Sequence, residues 1–314
     1  MSNKVKQEMD RILIPSELHE KSKMGVLMAK AEMPRSKRNM PIKGIVAAAC
    51  LVVGIGGYSI FSQQSSKSNE STNIVQERNS LTIPPIQLPK TSSENMKMIG
   101  LVVYNGKVYT HTATEIDSEH AKALIDEKLG TTKPTIDEWS KQDQYSVEFA
   151  STIGKREIYS VKGYDKDFRI MAYDEENGEN QAEFYECLNG ITIRDGKDIF
   201  GQLKLDNHIV MAEYRTYSDW NHSKDYFQPV KDKKTLSAFV NELNHTLPET
   251  REKVEELLGD FRNDKQYKQL ILHLEDGSRV SLVIIKGGYI SYGSSDFYFK
   301  MDNEIFSKIW DQIS

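Results

Sequence analysis

One uninterrupted apolar segment constrains this chain more than any other feature. Residues 44–61 (GIVAAACLVVGIGGYSIF) are eighteen consecutive positions without a charged side chain. An α-helix rises about 1.5 Å per residue, so a segment of this length is close to the minimum that crosses the hydrocarbon layer of a membrane. The segment therefore predicts a single transmembrane helix, which divides the 314-residue chain into a short and a long part.

The charges on either side of this segment predict its orientation. Residues 1–43 hold ten Lys and Arg against five Asp and Glu, whereas residues 62–314 hold 31 against 41. Lys and Arg beside a transmembrane helix favour the cytoplasmic side, so residues 1–43 are predicted to be a cytoplasmic tail and the long part to be extracellular. A cleaved signal peptide is the alternative, but 43 mostly polar residues are long for the region that precedes its apolar core.

Residues 62–97 are rich in Ser, Gln, Asn, Thr and Pro. Such a composition buries little apolar surface, so these residues are predicted to form a flexible stalk. The folded ectodomain is expected to begin near Met98. Its clearest local signal is Asn105-Gly106 between two apolar runs, because this pair supplies the two positive φ angles of a type I′ hairpin turn.

The rest of the ectodomain alternates between strand and helix patterns. A helix capped by Asp117 or Ser118 is predicted to continue through Leu129 and to stop at Gly130. Further helices are expected at 235–244, 250–258 and 303–313. Strands are expected at 157–161, 168–173, 183–188, 191–194 and 209–217, followed by an antiparallel meander at 269–274, 280–285, 289–292 and 297–301.

These elements predict an α+β ectodomain of antiparallel sheets with flanking helices, carried on a single transmembrane helix with a short helical cytoplasmic tail. Each half of the ectodomain reads as strand, helix and several strands, which favours two subdomains at 98–205 and 206–314. No residue-level repeat accompanies this order, so an ectodomain of one domain is the alternative.

Chemical motifs are sparse in the ectodomain. Cys187 is its one cysteine and is expected to be a buried strand residue, a cysteine usage common among exported proteins of Gram-positive bacteria. The seven histidines show no metal-ligand spacing, and no nucleophile motif is present. We therefore expect no catalytic residues, no metal, no cofactor and no enzymatic activity. The aromatic residues of one loop region either line a ligand groove or pack over the core: Tyr214, Tyr217, Trp220, Tyr226 and Phe227.

The cytoplasmic tail carries two short amphipathic patterns separated by Pro15. Two short helices without a core of their own need a surface to bind, and the acidic residues on both polar faces favour a protein over the membrane. The residues predicted to bind this partner are the apolar ones of the two patterns: Val5, Met9, Ile12, Ile14, Leu18, Met24, Leu27 and Met28.

Residues 9–33 (MDRILIPSELHEKSKMGVLMAKAEM), followed by basic residues and one apolar segment, resemble the N-termini of membrane-anchored anti-sigma factors in Bacillus-type bacteria. These are negative effectors of extracytoplasmic-function sigma factors. Their Ile-x-Ile-Pro-x-Glu-Leu core is matched by Ile12 to Leu18, and Gly25-Val26 and Ala29-Lys30 match the helix that follows. The resemblance covers about 60 residues and does not extend to the ectodomain. The tail contains no His/Cys zinc pattern, so the zinc-containing class is not the one it resembles.

The resemblance implies a regulator of transcription. Its tail would sequester a sigma factor at the cell membrane, without contacting nucleic acid directly, while the ectodomain senses an extracellular signal. The alternative is a membrane-anchored extracellular ligand-binding or cell-envelope protein that has no sigma-factor partner.

The predicted topology can be checked with a reporter that is active only in the cytoplasm. Fused after Ser314, the reporter should be inactive, because the basic flank keeps the opposite end of the chain inside. A mature protein that begins near Cys50 would contradict the uncleaved transmembrane helix.

Overall fold

A computed structural model of the chain describes residues 75–77, 80–86, 99–137, 140–176, 179–293 and 295–314. The predicted tail, its partner-binding residues and the predicted transmembrane segment lie outside these ranges and stay predictions. Among the helices of the described residues, none has the length and apolar character needed to cross a membrane. All described residues belong to one compact unit, Leu51–Ser314.

The described residues contain strands in both halves of the ectodomain. In the first half these are β1 (Val75–Glu77), β2 (Ser80–Ile83), β3 (Leu101–Tyr104), β4 (Lys107–His111), β5 (Thr114–Ile116), β6 (Ile125–Thr131), β7 (Glu157–Val161), β8 (Arg169–Glu176), β9 (Glu179–Glu186) and β10 (Ile191–Ile193). In the second half they are β11 (Ile209–Thr216), β12 (Gln228–Pro229), β13 (Leu247–Thr250), β14 (Tyr267–Leu274), β15 (Ser278–Ile285), β16 (Tyr289–Tyr292) and β17 (Phe297–Lys300).

The described residues contain fewer helices than strands. They are α1 (Ser118–Leu124), α2 (Tyr217–Asn221), α3 (Lys233–Leu243), α4 (Arg251–Leu258) and α5 (Asn303–Ile313), with 3-10 turns at Gln142–Ser146 and Gly196–Asp198. The predictions at 235–244, 250–258 and 303–313 are confirmed to within two residues. The C-terminal meander is confirmed as well. Gly277, Gly287 and Gly288 lie in its turns and have positive φ angles.

The strands form three sheets in which all paired strands are antiparallel. A three-stranded sheet has the order β1-β2-β10, and a six-stranded sheet has the order β3-β4-β9-β8-β7-β6. An eight-stranded sheet has the order β12-β11-β14-β15-β16-β17-β13, with β5 paired to the first three residues of β15. The described residues therefore have a sheet-rich α+β fold with antiparallel sheets and few helices.

The hairpin at Asn105-Gly106 is confirmed. These two residues have φ angles of 50° and 69°, the pair of positive values that a type I′ turn requires. Tyr104 pairs with Lys107 directly across the turn, and the register continues to Leu101 and Thr110.

The helix predicted to run through Leu129 ends earlier, at Leu124. Its cap is confirmed, since Asp117 Oδ1 accepts a hydrogen bond of 2.9 Å from the backbone of His120. From Ile125 onward the chain is extended and pairs with β7. This pairing outweighs the local helical pattern. Gly130 is not a helix stop, since it lies within β6. A glycine fits there because the ring of Phe149 occupies the space that a Cβ would need.

Part of the predicted stalk belongs to the folded structure. Strand β2 lies between β1 and β10, and it inserts Leu81 and Ile83 into the largest apolar core while Thr82 faces the other way. Its alternation of apolar and polar residues is that of a half-buried strand, and the polar composition of the surrounding 36 residues conceals it. For residues 80–83 the stalk prediction is wrong.

The largest core lies against one face of the eight-stranded sheet. Helices α3 and α5 cover this face together with side chains from 193–205. Five large aromatic side chains of the C-terminal strands and the closing helix are buried: Tyr289, Phe297, Phe299, Phe306 and Trp310. The proposed boundary at 205/206 separates the strands of the six-stranded sheet from most of those of the eight-stranded sheet, but this core draws residues from both sides. A division into two subdomains stays a prediction.

The docking of β2 can be tested by mutation. Replacing Leu81 by Ala should lower the free energy of unfolding of the full-length chain by about 2–5 kcal/mol, because a fully buried leucine leaves a cavity. Thr82→Ala is the matched control in the same strand and should cost about 1 kcal/mol or less, since it removes one exposed hydroxyl contact with Thr192. Denaturant unfolding followed by tryptophan fluorescence measures both. Equal unfolding midpoints for the two variants would show that residues 80–83 belong to the stalk and not to the core.

Candidate functional site

The eight-stranded sheet has a second face, opposite the largest core, which we call the outer face. Its central side chains come from β11, β14, β15 and β16, where the register places Arg215 beside Gln269 and Glu213 beside Ile271. Because alternate residues of a strand point to opposite faces, the neighbours Tyr214, Leu270 and Leu272 enter the core instead. The outer face includes Glu213, Arg215, Gln269, Ile271, His273, Arg279, Ser281, Val283 and Ser291.

Two polar pairs organise this face. His273 Nε2 lies 2.9 Å from Glu213 Oε1, and both side chains are about a quarter exposed, at 23% each. Arg215 donates from Nε to Gln269 Oε1 over 2.6 Å and from Nη1 to the carbonyl oxygen of Lys224 over 3.1 Å. Each pair joins β11 to β14, so the sheet fixes the position of both.

An aromatic cluster closes one end of the outer face. The ring of Tyr267 lies 5.2 Å from that of Tyr217 and 5.5 Å from that of Trp220, both carried by α2. These rings pack on Val254, Phe261 and other buried residues. For Tyr217 and Trp220, the structure agrees with the interpretation that the aromatic residues of the loop region pack over the core.

The remaining aromatic residues of that region take different positions. Tyr214 lies on the core face of β11, so it is not part of a surface groove. Tyr226 is 69% exposed, and the ring of Phe227 lies 5.0 Å from Cζ of Arg215. Phe227 therefore forms a rim beside the polar pairs of the outer face.

The protein groups that accept hydrogen bonds from the Arg215 guanidinium are neutral. Burial lowers the pKa of its guanidinium, an effect opposed by the more distant carboxylates of Asp225, Glu115 and Asp219. Among the described residues, no carboxylate oxygen lies within 4.0 Å of its nitrogens. An oriented cation, a His–Glu pair, serine hydroxyls and an aromatic rim are groups that bind a polar ligand.

A second polar region lies at the ends of β7, β8 and β9, where an open cleft of about 670 Å³ surrounds Arg156. Arg156 already forms ion pairs with Asp174 and with Glu183, the latter at 2.7 Å. Its Nη2 donates to the carbonyl of Gln181 over 3.1 Å. Because Arg156 is paired with protein groups, this cleft is the weaker candidate.

Cys187 is buried, as predicted, but it lies one residue beyond the end of β9 and not within a strand. Burial raises the pKa of its thiol, and Sγ lies 3.5 Å from the carbonyl oxygen of Asn189. A raised pKa keeps the thiol protonated and weakly nucleophilic. In the described part of the chain, no three His, Cys, Asp or Glu side chains are grouped closely enough to hold a metal ion.

Comparison with known proteins found no matching family model, no matching curated protein and no matching solved structure. The eight side chains predicted to bind a partner lie outside the described residues. The outer face is not among the sites predicted from sequence, although the strand alternation in 269–273 already separates Gln269, Ile271 and His273 from the core leucines.

The burial of Cys187 predicts slow reaction with thiol reagents. In a Cys50→Ser background, which leaves Cys187 as the sole thiol, a disulfide reagent at pH 8 should label the native chain far more slowly than the denatured chain. Absorbance of the released thiolate follows both reactions. Equally rapid labelling of the two states would show that the thiol is accessible in the folded protein.

Proposed function

We propose that this chain is a single-pass membrane regulatory protein, an anti-sigma factor whose cytoplasmic tail sequesters a sigma factor and whose ectodomain binds an envelope signal. The observation that carries the proposal is the tail sequence. Ile12 to Leu18 matches the family core, and a basic flank and an eighteen-residue apolar segment follow in the family's order. The tail's apolar residues need a partner surface, since two short helices bury little surface alone.

The ectodomain supports the proposal in a more general way. It has an apolar core of its own, and its outer face presents oriented polar groups beside an aromatic rim. Such a face suits the recognition of a ligand. It would serve equally well in the second candidate, an anchored ligand-binding protein of the cell envelope without a sigma-factor partner, so the tail distinguishes the two.

The discriminating experiment is capture of the full-length chain from its native membrane, followed by identification of the bound proteins. A sigma factor should be recovered. The double variant Leu18→Asp, Met28→Asp should lose it, because charge in an apolar contact costs several kcal/mol when buried.

A control variant with the same added charge is Asn3→Asp, Ser22→Asp, in which both changes lie outside the apolar stripes. This variant should retain the sigma factor. Recovery of no sigma factor by the unmodified chain would favour the anchored ligand-binding protein. Equal recovery by both variants would show that the apolar stripes are not the contact.

A further inference from the structure

The guanidinium of Arg215 is held in place, but no carboxylate of the described residues is in contact with it. Two of its five N–H donors are used, one by Gln269 Oε1 and one by the carbonyl of Lys224. Among the described residues, Nη2 has no hydrogen-bond partner, and it is absent from the buried unpaired atoms, so solvent reaches it. Three donor hydrogens of a fixed cation therefore remain available on the outer face.

Three independent contacts keep this side chain from turning away. Gln269, itself buried, fixes Nε from the neighbouring strand, Lys224 fixes Nη1 from the loop after α2, and the ring of Phe227 lies against the guanidinium at 5.0 Å from Cζ. A side chain fixed in advance loses little conformational entropy when it binds. The planar fork of donors of a guanidinium matches the geometry of a carboxylate or a phosphate.

The other arginine of this sheet region behaves differently. Arg279 lies on β15 and forms an ion pair with Glu115 of β5, with Nη2 and Oε2 3.0 Å apart. Its charge is compensated by direct contact, whereas that of Arg215 is not. This contrast is notable in a segment where acidic residues outnumber basic ones, 41 to 31 over residues 62–314.

We propose that the outer face binds a small anionic group, a phosphate or a carboxylate, with Arg215 as its charge partner. The hydroxyl of Ser281 and the His273–Glu213 pair lie on the same face and contact the remainder of the ligand, while Phe227 borders it. This inference deepens the proposed function, because it names the chemical class of signal that the ectodomain receives.

The test is calorimetric titration of the full-length chain in uncharged maltoside micelles. The phosphate probe is glycerol 3-phosphate, with glycerol as its neutral analogue. The carboxylate probe is N-acetyl-dialanine, with its C-terminal amide as the neutral analogue. At least one anionic probe should bind saturably and its neutral analogue should not, and the probe that binds distinguishes a phosphate-bearing source from a peptide carboxylate.

Three variants that change the net charge equally distinguish a specific contact with Arg215 from a general electrostatic effect of the protein charge. Arg215→Gln removes the cation, and Gln269→Glu supplies a carboxylate beside it; both should weaken binding about ten-fold or more. Arg194→Gln should change it by no more than about two-fold, since Arg194 is an exposed residue outside the eight-stranded sheet and a distant exposed charge is screened. Thermal melts confirm that each variant is folded, and Gln269→Glu tests the proposal if Arg215→Gln is not.

The proposal is overturned if neither anion binds, if Arg215→Gln and Gln269→Glu bind as tightly as the parent chain, or if Arg194→Gln loses as much affinity as they do. These titrations contain no sigma factor. Their failure would therefore leave the tail experiment unaffected, and a failure of the tail experiment would not change these titrations.

Discussion

The fold depends on one buried ion pair, Arg169 with Glu186, whose side chains are both 0% exposed. Removing two charges from water is costly, so the pair is stable only where both partners have further contacts. Glu186 Oε1 accepts from Nε of Arg169 at 2.9 Å, and Oε2 accepts from the hydroxyl of Tyr292 at 2.6 Å. Burial and the Glu186 carboxylate raise the pKa of Tyr292, which keeps this hydroxyl a donor. The rings of Tyr164 and Phe184 lie 4.3 and 4.7 Å from the guanidinium carbon and supply favourable contact to its faces.

This network joins the two large sheets. Arg169 and Glu186 belong to β8 and β9 of the six-stranded sheet, whereas Tyr292 belongs to β16 of the eight-stranded sheet. Thr114 of β5 completes it, since its hydroxyl lies 2.6 Å from that of Tyr292. Because β5 also pairs with the start of β15, the network fixes the strand that carries Ser281 and Val283 on the outer face. Loss of one partner would leave a charge buried without compensation, which is why such a pair constrains the geometry more than it stabilises the fold.

The sequence predicts those parts of the structure that neighbouring residues determine. The Asn105-Gly106 turn, the meander and the closing helix depend on local φ preferences and on apolar periodicity within one element. The extended conformation of 125–131 depends on pairing with β7, and the strand at 80–83 depends on β10, more than 100 residues away. The same limit applies to the candidate site. Strand alternation indicates which side chains share a face, but Arg215 and Gln269 are 54 residues apart, and no local pattern reveals that one fixes the other.

In the proposed regulator, the two faces of the eight-stranded sheet would have different roles. Polar groups of the outer face belong to the same strands, β11, β14 and β15, whose opposite residues pack into the core that receives Leu81 and Ile83. Strand β2 is the described core element closest in sequence to the predicted transmembrane segment. A ligand changes such an equilibrium only through a difference in its affinity for the two states. An anion that bound Arg215 equally well with β2 docked or released would carry no information towards the tail. In the proposed regulator, signalling along the chain would therefore require that Arg215 and the groups that hold it bind the anion with different affinity when β2 is docked and when it is released.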